Sequence, residues 1–179
     1  MRRRWLLLVF FLGLSACGFH FPGHDGAMPA ALRRLQVGIL GSAARNPPLL
    51  LALRRELAIS GTEVVQGQRV GIPALMVTNE VFAPQVLAVD TTGRVSAYLL
   101  DYSLSFELLN GAGQVVLPMQ SVRLQREYTF NIVNVLGEQR QQDYLQRRMR
   151  ASAVRKLMFM LKAQGPAALQ GAAAPKTHP

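Results

Sequence analysis

The run from Tyr98 to Leu108 constrains the fold more than any other segment. Apolar or aromatic side chains at every second position alternate with mostly polar ones: Tyr98, Leu100, Tyr102, Leu104, Phe106 and Leu108 against Leu99, Asp101, Ser103, Ser105 and Glu107. Because successive side chains of a strand point to opposite faces, this period of two predicts a strand with one buried face. Asn110-Gly111 follows directly and is typical of a hairpin turn.

Two further long strands flank this one. Residues Ala74 to Val89 form a first strand, with a possible break at Pro84 because proline cannot donate to a sheet. A turn at Thr92-Gly93 joins it to the alternating strand, and Val115 to Phe130 returns after the hairpin. The middle of the chain is therefore predicted to be a meander of long antiparallel strands.

A strand, a helix and a second strand precede the meander. Leu35 to Leu40 reads as a strand, and Asn46-Pro47 supplies a cap and a first-turn proline for a helix running from Leu49 to Ser60. Gly61 ends that helix, and Thr62 to Val65 forms a short strand. This order predicts a right-handed crossover between two parallel strands.

The last regular element is a helix from about Glu138 to Lys162. Its apolar residues recur at helical spacing: Leu145, Met149, Ala153, Leu157 and Met160/Leu161, with arginines between them. We expect this stripe to pack on the sheet and its methionines to fill the core. The predicted fold is α/β, a two-layer sandwich in which two helices pack on one face of a mixed β-sheet with long antiparallel strands.

The N-terminus has the three parts of a secretory signal. Arg2-Arg3-Arg4 precede a short apolar run from Trp5 to Leu12, and Leu14-Ser15-Ala16-Cys17 ends the segment. The apolar run is far shorter than the roughly 20 residues of a membrane-spanning helix. The last four residues resemble the bacterial lipobox, which implies cleavage before Cys17 and lipid on its thiol. An ordinary signal peptide with a chance cysteine is the alternative.

Two neighbouring features favour the lipidated reading. Cys17 is the only cysteine of the chain and therefore cannot form an internal disulfide. Several acyl chains on one residue would make a lasting membrane anchor. Inner-membrane lipoproteins usually carry Asp after the cysteine, whereas this chain has Gly18, so the resemblance points to the outer membrane.

These features divide the chain of 179 residues into four parts. Residues 1–16 are a removable signal peptide and 17–34 a lipidated tether. Residues 35–164 form one α/β domain, and 165–179 are predicted to be a disordered tail because they are rich in Ala, Pro and Gly.

The balance of charge indicates an anionic partner. Removing the three arginines of the signal from the formal charge of +10 leaves +7. In an exported protein we expect phosphorylated glycolipid or anionic headgroups rather than nucleic acid. Most arginines of the last helix are nevertheless expected to be a solvated helix face.

Catalytic and metal-binding patterns are missing from the sequence. The histidines His20, His24 and His178 lie in the predicted tether and tail, where no rigid element holds them for a metal. No nucleophile elbow, phosphate loop or paired-cysteine motif occurs. We therefore expect a binding or assembly protein that is not an enzyme and has no cofactor or metal.

The mature chain would open with Cys17-Gly18-Phe19-His20-Phe21. This start is similar to the CGFHL start of the LptE family of lipopolysaccharide-assembly lipoproteins, which the chain resembles. Further similar stretches are Leu53-Arg54-Arg55-Glu56-Leu57 ending at Ser60-Gly61, Ala97-Tyr98, Val122-Arg123, Gln142-Asp143, Met149 and Arg155-Lys156-Leu157.

The resemblance implies a function without catalysis. Members of the family plug the lumen of the outer-membrane β-barrel LptD in a one-to-one complex, help it assemble, and have been proposed to bind lipopolysaccharide. The expected location is therefore the outer membrane, lipid-anchored, on the periplasmic side and within a barrel lumen. A polar, basic surface suits a water-filled barrel interior.

The resemblance also suggests where lipopolysaccharide would bind. The family's proposed contacts are basic residues near the turn between the long strands and near the start of the last helix. Here these places offer Arg94, beside Thr91-Thr92-Gly93, and Arg140, since Val135 to Glu138 carry no base. We predict Arg94 and Arg140 as phosphate contacts; the alternative is that both only solvate loops or touch a barrel wall.

Two other classes of function stay open. One is a structural envelope lipoprotein that binds peptidoglycan or supports a different barrel-assembly machine. The other is a periplasmic lipid-binding carrier, which would require a cleft between sheet and helices. A lipoprotein hydrolase has no residue constellation to support it.

Overall fold

The computed structural model of the chain describes residues 27–39, 47–67, 69–129 and 135–173. The strands are β1 (Arg34–Ile39), β2 (Glu63–Val65), β3 (Ala74–Val89), β4 (Val95–Leu109) and β5 (Val115–Thr129). The α-helices are α1 (Pro48–Ile59) and α2 (Val135–Ala173), and a short 3₁₀ helix spans Ala30–Leu32. The predicted cap of α1, Asn46, lies outside the described residues.

The five strands form one mixed sheet in the order β2-β1-β3-β4-β5. β1 runs parallel to both β2 and β3, while β3, β4 and β5 are antiparallel neighbours. The crossover from β1 through α1 to β2 is therefore the parallel unit that the sequence predicted. The expected mixed α/β sheet with a long antiparallel meander is confirmed.

Strand β4 supplies the centre of the core. Its residues Leu100, Tyr102, Leu104, Phe106 and Leu108 have no exposed surface, as the alternation predicted. The helices cover this face with Leu49, Leu53 and Leu57 from α1 and with Leu145, Met149, Ala153, Leu157 and Leu161 from α2. Each buried large apolar side chain contributes about 1.5–3 kcal/mol, so this interface is the main source of stability.

Pro84 does not break β3, because most of that strand lies at an edge of the sheet. β1 pairs only with Ala74 to Val77, whereas Pro84 pairs with Leu100 on the β4 side. Among the described residues no strand pairs with the other side of β3 beyond Val77. The missing N–H of proline is tolerated at such an edge.

The predicted tether is too long at its C-terminal end. Met28 and Leu32 are buried in the core, and the Met28 N–H donates to the Ser60 carbonyl at 2.8 Å. The Thr62 hydroxyl donates to the Leu32 carbonyl at 3.2 Å. Residues 28–33 therefore belong to the folded domain, because their two apolar side chains fill a gap that local periodicity could not reveal.

The last helix also departs from its predicted end. It begins at Val135 and continues through Gly165 and Pro166 to Ala173, whereas residues 165–179 were predicted to be a disordered tail. Gly165 is buried, and a Cβ there would lie 3.0 Å from Leu32 Cδ1. Ala168 and Leu169 pack against the core cluster. These contacts hold the extra turns together despite two residues that disfavour helix; residues 174–179 lie outside the described chain.

Candidate binding surface

The turn between β3 and β4 is built around one carboxylate. Asp90 Oδ1 accepts hydrogen bonds from the Thr92 N–H at 2.8 Å, the Thr92 hydroxyl at 2.7 Å and the Arg94 N–H at 3.0 Å. Gly93 has a φ of +79°, which closes the turn without strain. The hydrogen bond from the Thr92 side chain, followed by those from the backbone, lowers the pKa of Asp90.

This turn presents Arg94 to solvent. The backbone of Arg94 is held by Asp90, and its side chain is exposed. The hairpin between β4 and β5 repeats the geometry, with Asn110 Oδ1 accepting from the N–H groups of Ala112 at 3.0 Å and Gln114 at 2.9 Å. Arg94 thus sits on a rigid turn that leaves its guanidinium free to meet a ligand.

Arg140 lies near the N-terminal end of α2 and is also exposed. Ala97, close to the Arg94 turn, pairs with Thr129 at the end of β5, six residues before α2 begins at Val135. The topology therefore brings Arg94 and Arg140 to the same end of the sheet. The third predicted site residue, Cys17, lies outside the described residues.

The exposed side of α2 is strongly basic. Between residues 139 and 164 the helix carries seven basic side chains and one acidic one, Asp143. Arg140, Arg147, Arg148, Arg155 and Lys156 are exposed. None of these five forms an ion pair within the part of the chain that the structure describes. Their charges are therefore available to an anionic partner.

Aromatic residues interrupt the basic side of α2, a feature that the sequence reading missed. Tyr144 is 45 % exposed and Phe159 74 % exposed. Arg148 lies over the Tyr144 ring at 5.5 Å and donates to its hydroxyl at 2.5 Å. The sequence does contain a signal for these exposed aromatic residues. At helical spacing, Tyr144 and Phe159 lie outside the apolar stripe of Leu145, Met149, Ala153 and Leu157.

One arginine of α2 points inward and does not join the basic face. Arg150 Nε donates to Glu80 Oε1 at 2.7 Å, with both side chains largely buried. The Tyr102 hydroxyl lies beside this pair, is buried and finds no hydrogen-bond partner among the described residues. Burial, followed by the negative charge of Glu80, raises the pKa of Tyr102. This cluster ties β3 and β4 to α2.

The opposite face of the sheet is mostly polar near its centre, although exposed Val81 lies beside Ser103 there. Ser103 pairs with Arg123, and Ser105 with Ser121, so these side chains share that face. Arg123 donates from Nε to both carboxylate oxygens of Asp101 at 3.0 Å. That hydrogen bond, the largest influence, lowers the pKa of Asp101. The face suits contact with water or with a polar wall.

A groove of about 850 Å³ opens beside the loop that joins β2 to β3. The Gln36 side chain holds this loop by donating to the carbonyls of Arg69 at 2.7 Å and Ile72 at 2.8 Å. The lining includes Met76 and Glu107 but none of the fully buried core residues. Arg54 of α1 and Val37, which packs against the core, also line the groove, so it borders the helical layer without entering the buried centre of the interface.

Metal-ligand clusters and membrane-spanning helices are both absent from the described ranges. There, no three His, Cys, Asp or Glu side chains come together as metal ligands. None of the helices described is both long and apolar enough to cross a bilayer. The fold and the charges define a small α/β binding domain with one basic helical face and one polar sheet face.

Solved structures with this fold include three bacterial lipoproteins. The rare lipoprotein B of Shewanella oneidensis has a TM-score of 0.64 at 17% identity, covering 75% of this chain and 97% of that one. The lipoprotein B of Nitrosomonas europaea scores 0.69 at 19% identity, covering 86% and 96%. A minor lipoprotein of Acinetobacter baumannii scores 0.62 at 19% identity, covering 76% and 95%. At these identities the likeness establishes the fold.

The family follows from the sequence itself. A profile of the LptE family, described as lipopolysaccharide-assembly, matches residues 34–161. The chain therefore belongs to the LptE family, as the resemblance at its N-terminus and along the domain implied. No curated protein sequence matches the chain.

Proposed function

We propose that this protein is the lipoprotein subunit of an outer-membrane translocon, where it plugs an LptD-like β-barrel and helps deliver lipopolysaccharide to the cell surface. The observation that carries the proposal is the match of residues 34–161 to the lipopolysaccharide-assembly family. The role is one of binding and assembly, without catalysis, and the complex is expected to contain one copy of each protein.

The two faces of the domain suit a barrel lumen. A wide barrel has a polar, water-filled interior, so a plug needs hydrophilic faces. The sheet face offers Ser103, Ser105 and Ser121 beside the Asp101–Arg123 pair, and the helical face offers exposed arginines. The main apolar side chains are turned inward between these two layers.

The lipid on Cys17 is part of the proposal. It would hold the domain at the periplasmic surface of the outer membrane, because several acyl chains on one residue bind a bilayer stably. Mass spectrometry of the purified full chain should show the mass of several acyl chains on a peptide that begins at Cys17, and replacing Cys17 with Ser should remove that mass. A wild-type chain that carries no acyl mass would contradict the anchor.

Lipopolysaccharide is the second proposed partner, with Arg94 and Arg140 as the phosphate contacts. Both are exposed at the same end of the sheet, and arginine pairs well with phosphate oxygens. The variant Arg94→Ala with Arg140→Ala should bind purified lipopolysaccharide more weakly. Its control is Arg33→Ala with Arg69→Ala, which removes the same charge from exposed positions near the other end. Equal binding by the two variants would contradict the assignment.

An affinity purification tests the plug itself. The full chain, tagged at its C-terminus, is recovered from detergent-solubilised outer membranes, and co-eluting proteins are identified and quantified. A large outer-membrane β-barrel in equimolar amount is the expected result. Elution with cell-wall material would favour a structural lipoprotein, and elution with bound lipid but no barrel would favour a carrier.

A further inference from the structure

Both helices carry exposed apolar and basic side chains in their C-terminal halves. Ile59 of α1 is 70 % exposed and Phe159 of α2 is 74 % exposed. Arg55 precedes Ile59 by one helical turn, and Arg155 precedes Phe159 by one turn, with Lys156 beside it. All three cations are exposed. These five residues are called the anchor-side patch below.

Residues Met28 to Leu32, which follow the tether, contact both helices near these side chains. The Met28 N–H donates to the carbonyl of Ser60, the residue next to Ile59. Four residues later, Leu32 packs against Gly165 of α2. Gly165 follows Phe159 by six residues, which is about 9 Å along the helix axis. The segment that follows the tether therefore links the end of α1 that carries Ile59 to the last turns of α2.

The length of the tether limits how far the patch can be from the anchor. Cys17 precedes Met28 by eleven residues, which span at most about 40 Å when fully extended. The domain is thus confined near the bilayer surface with the patch on its tethered side. Confinement raises the effective concentration of the patch at that surface.

The chemistry of the patch fits a lipid surface better than an acidic protein wall. Carboxylates on a protein wall would pair with the cations alone. An exposed Phe or Ile would bury little apolar surface against such a wall. An anionic bilayer offers both headgroup charge and an apolar layer just beneath it, which interleaved cations and large apolar groups match. None of the three cations is engaged in an ion pair within the described residues.

We propose that the anchor-side patch docks the domain on the anionic surface of the membrane that holds its lipid, before the domain enters a barrel. The inference rests on the proposed lipid at Cys17. Each cation near an anionic surface strengthens docking by roughly fivefold. Removing Arg155 and Lys156 together should therefore lower the ratio of docked to undocked domain by more than tenfold.

A fluorophore on the patch tests this docking. The lipidated full chain carrying Phe159→Cys is labelled with an environment-sensitive dye and placed in vesicles of phosphatidylethanolamine and phosphatidylglycerol. Val70→Cys is the matched control, because Val70 is 97 % exposed in the β2–β3 loop on the other side of the sheet. We expect a blue shift at position 159 and none at position 70. Phosphatidylcholine vesicles or high salt should remove the shift.

Two results would overturn the inference. One is equal emission from the two labels in anionic vesicles. The other is a shift at position 159 that appears only when a barrel partner is added, since the patch would then be a protein interface. Adding Arg155→Ser and Lys156→Ser to the labelled chain must also reduce the shift. Failure of the anchor is seen separately, because a free Cys17 thiol would take a second dye, which mass spectrometry detects.

Discussion

Replacing Leu32 with Ala tests whether the segment before β1 belongs to the fold. Leu32 has no exposed surface, and its Cδ1 lies where a Cβ on Gly165 would come within 3.0 Å. The substitution removes a fully buried side chain at the contact between the 3₁₀ helix and α2. A cavity of this kind costs about 2–5 kcal/mol, whereas a solvated tether residue would cost almost nothing.

The measurement is the free energy of unfolding from urea titrations followed by circular dichroism. The chain from residue 17, with Cys17→Ser, provides the background. Arg33→Ala is the control, because Arg33 is the exposed neighbour in the same segment. We expect Leu32→Ala to lower the urea midpoint clearly and the control to leave it within about 0.5 kcal/mol. A loss below about 1 kcal/mol for Leu32→Ala would refute the placement of this segment in the core.

Three further predictions concern the ion pair, a buried hydroxyl and a turn. Arg150→Met leaves Glu80 without its partner and should lower the free energy of unfolding by about 1–3 kcal/mol. This loss is smaller than for a fully buried pair, because the two side chains are partly solvated. An unchanged free energy of unfolding would contradict a stabilising role for this ion pair. Tyr102→Phe should be neutral or stabilising at pH 7, since the hydroxyl has no hydrogen-bond partner in the described chain. Burial raises the pKa of Tyr102 in the folded state above the 10.0 of a free tyrosine, so stability falls as the pH rises above 10, and the variant should lose stability less steeply there. Equal slopes against pH for both proteins would refute this reasoning. Asn110→Ala removes the acceptor of two backbone N–H groups and should cost about 1–2 kcal/mol, while Asn110→Asp, which keeps an acceptor oxygen, should restore most of it.

Local patterns predicted the meander well. The bounds predicted for β3, Ala74 to Val89, are those observed, and β5 ends one residue before its predicted end. Alternation and turn residues act between near neighbours in the chain, so they can be read without knowing the fold. The same holds for the parallel crossover through α1.

Sheet order and element ends could not be read in the same way. Nothing local in β1 indicates that it lies between β2 and β3. Gly165 and Pro166 are local signals for a helix end, yet contacts with Leu32 and the core continue α2 to Ala173. Long-range packing outweighed propensity at this position because several packed side chains act together. Each fully buried one contributes about 1.5–3 kcal/mol, whereas a proline costs about 3 kcal/mol and a glycine about 1 kcal/mol inside a helix.

The candidate sites also differ in whether the sequence or only the fold indicates them. Arg94 and Arg140 came from a resemblance, and the topology places both at one end of the sheet. The sequence does not indicate a site that includes both Ile59 and Phe159, because they belong to different helices and are more than ninety residues apart. Only the fold shows that Met28 contacts Ser60, next to Ile59, and that Leu32 contacts the helix that carries Phe159.

The sequence by itself therefore determined the class of the fold, the long strands and the family, because these depend on period, turn chemistry and motif. The tertiary structure decided which side chains of distant segments meet. It placed Met28 and Leu32 in the core, turned Arg150 toward Glu80 and left Phe159 in solvent. The physical reason is that burial and charge pairing depend on neighbours in space, which local chain order does not specify.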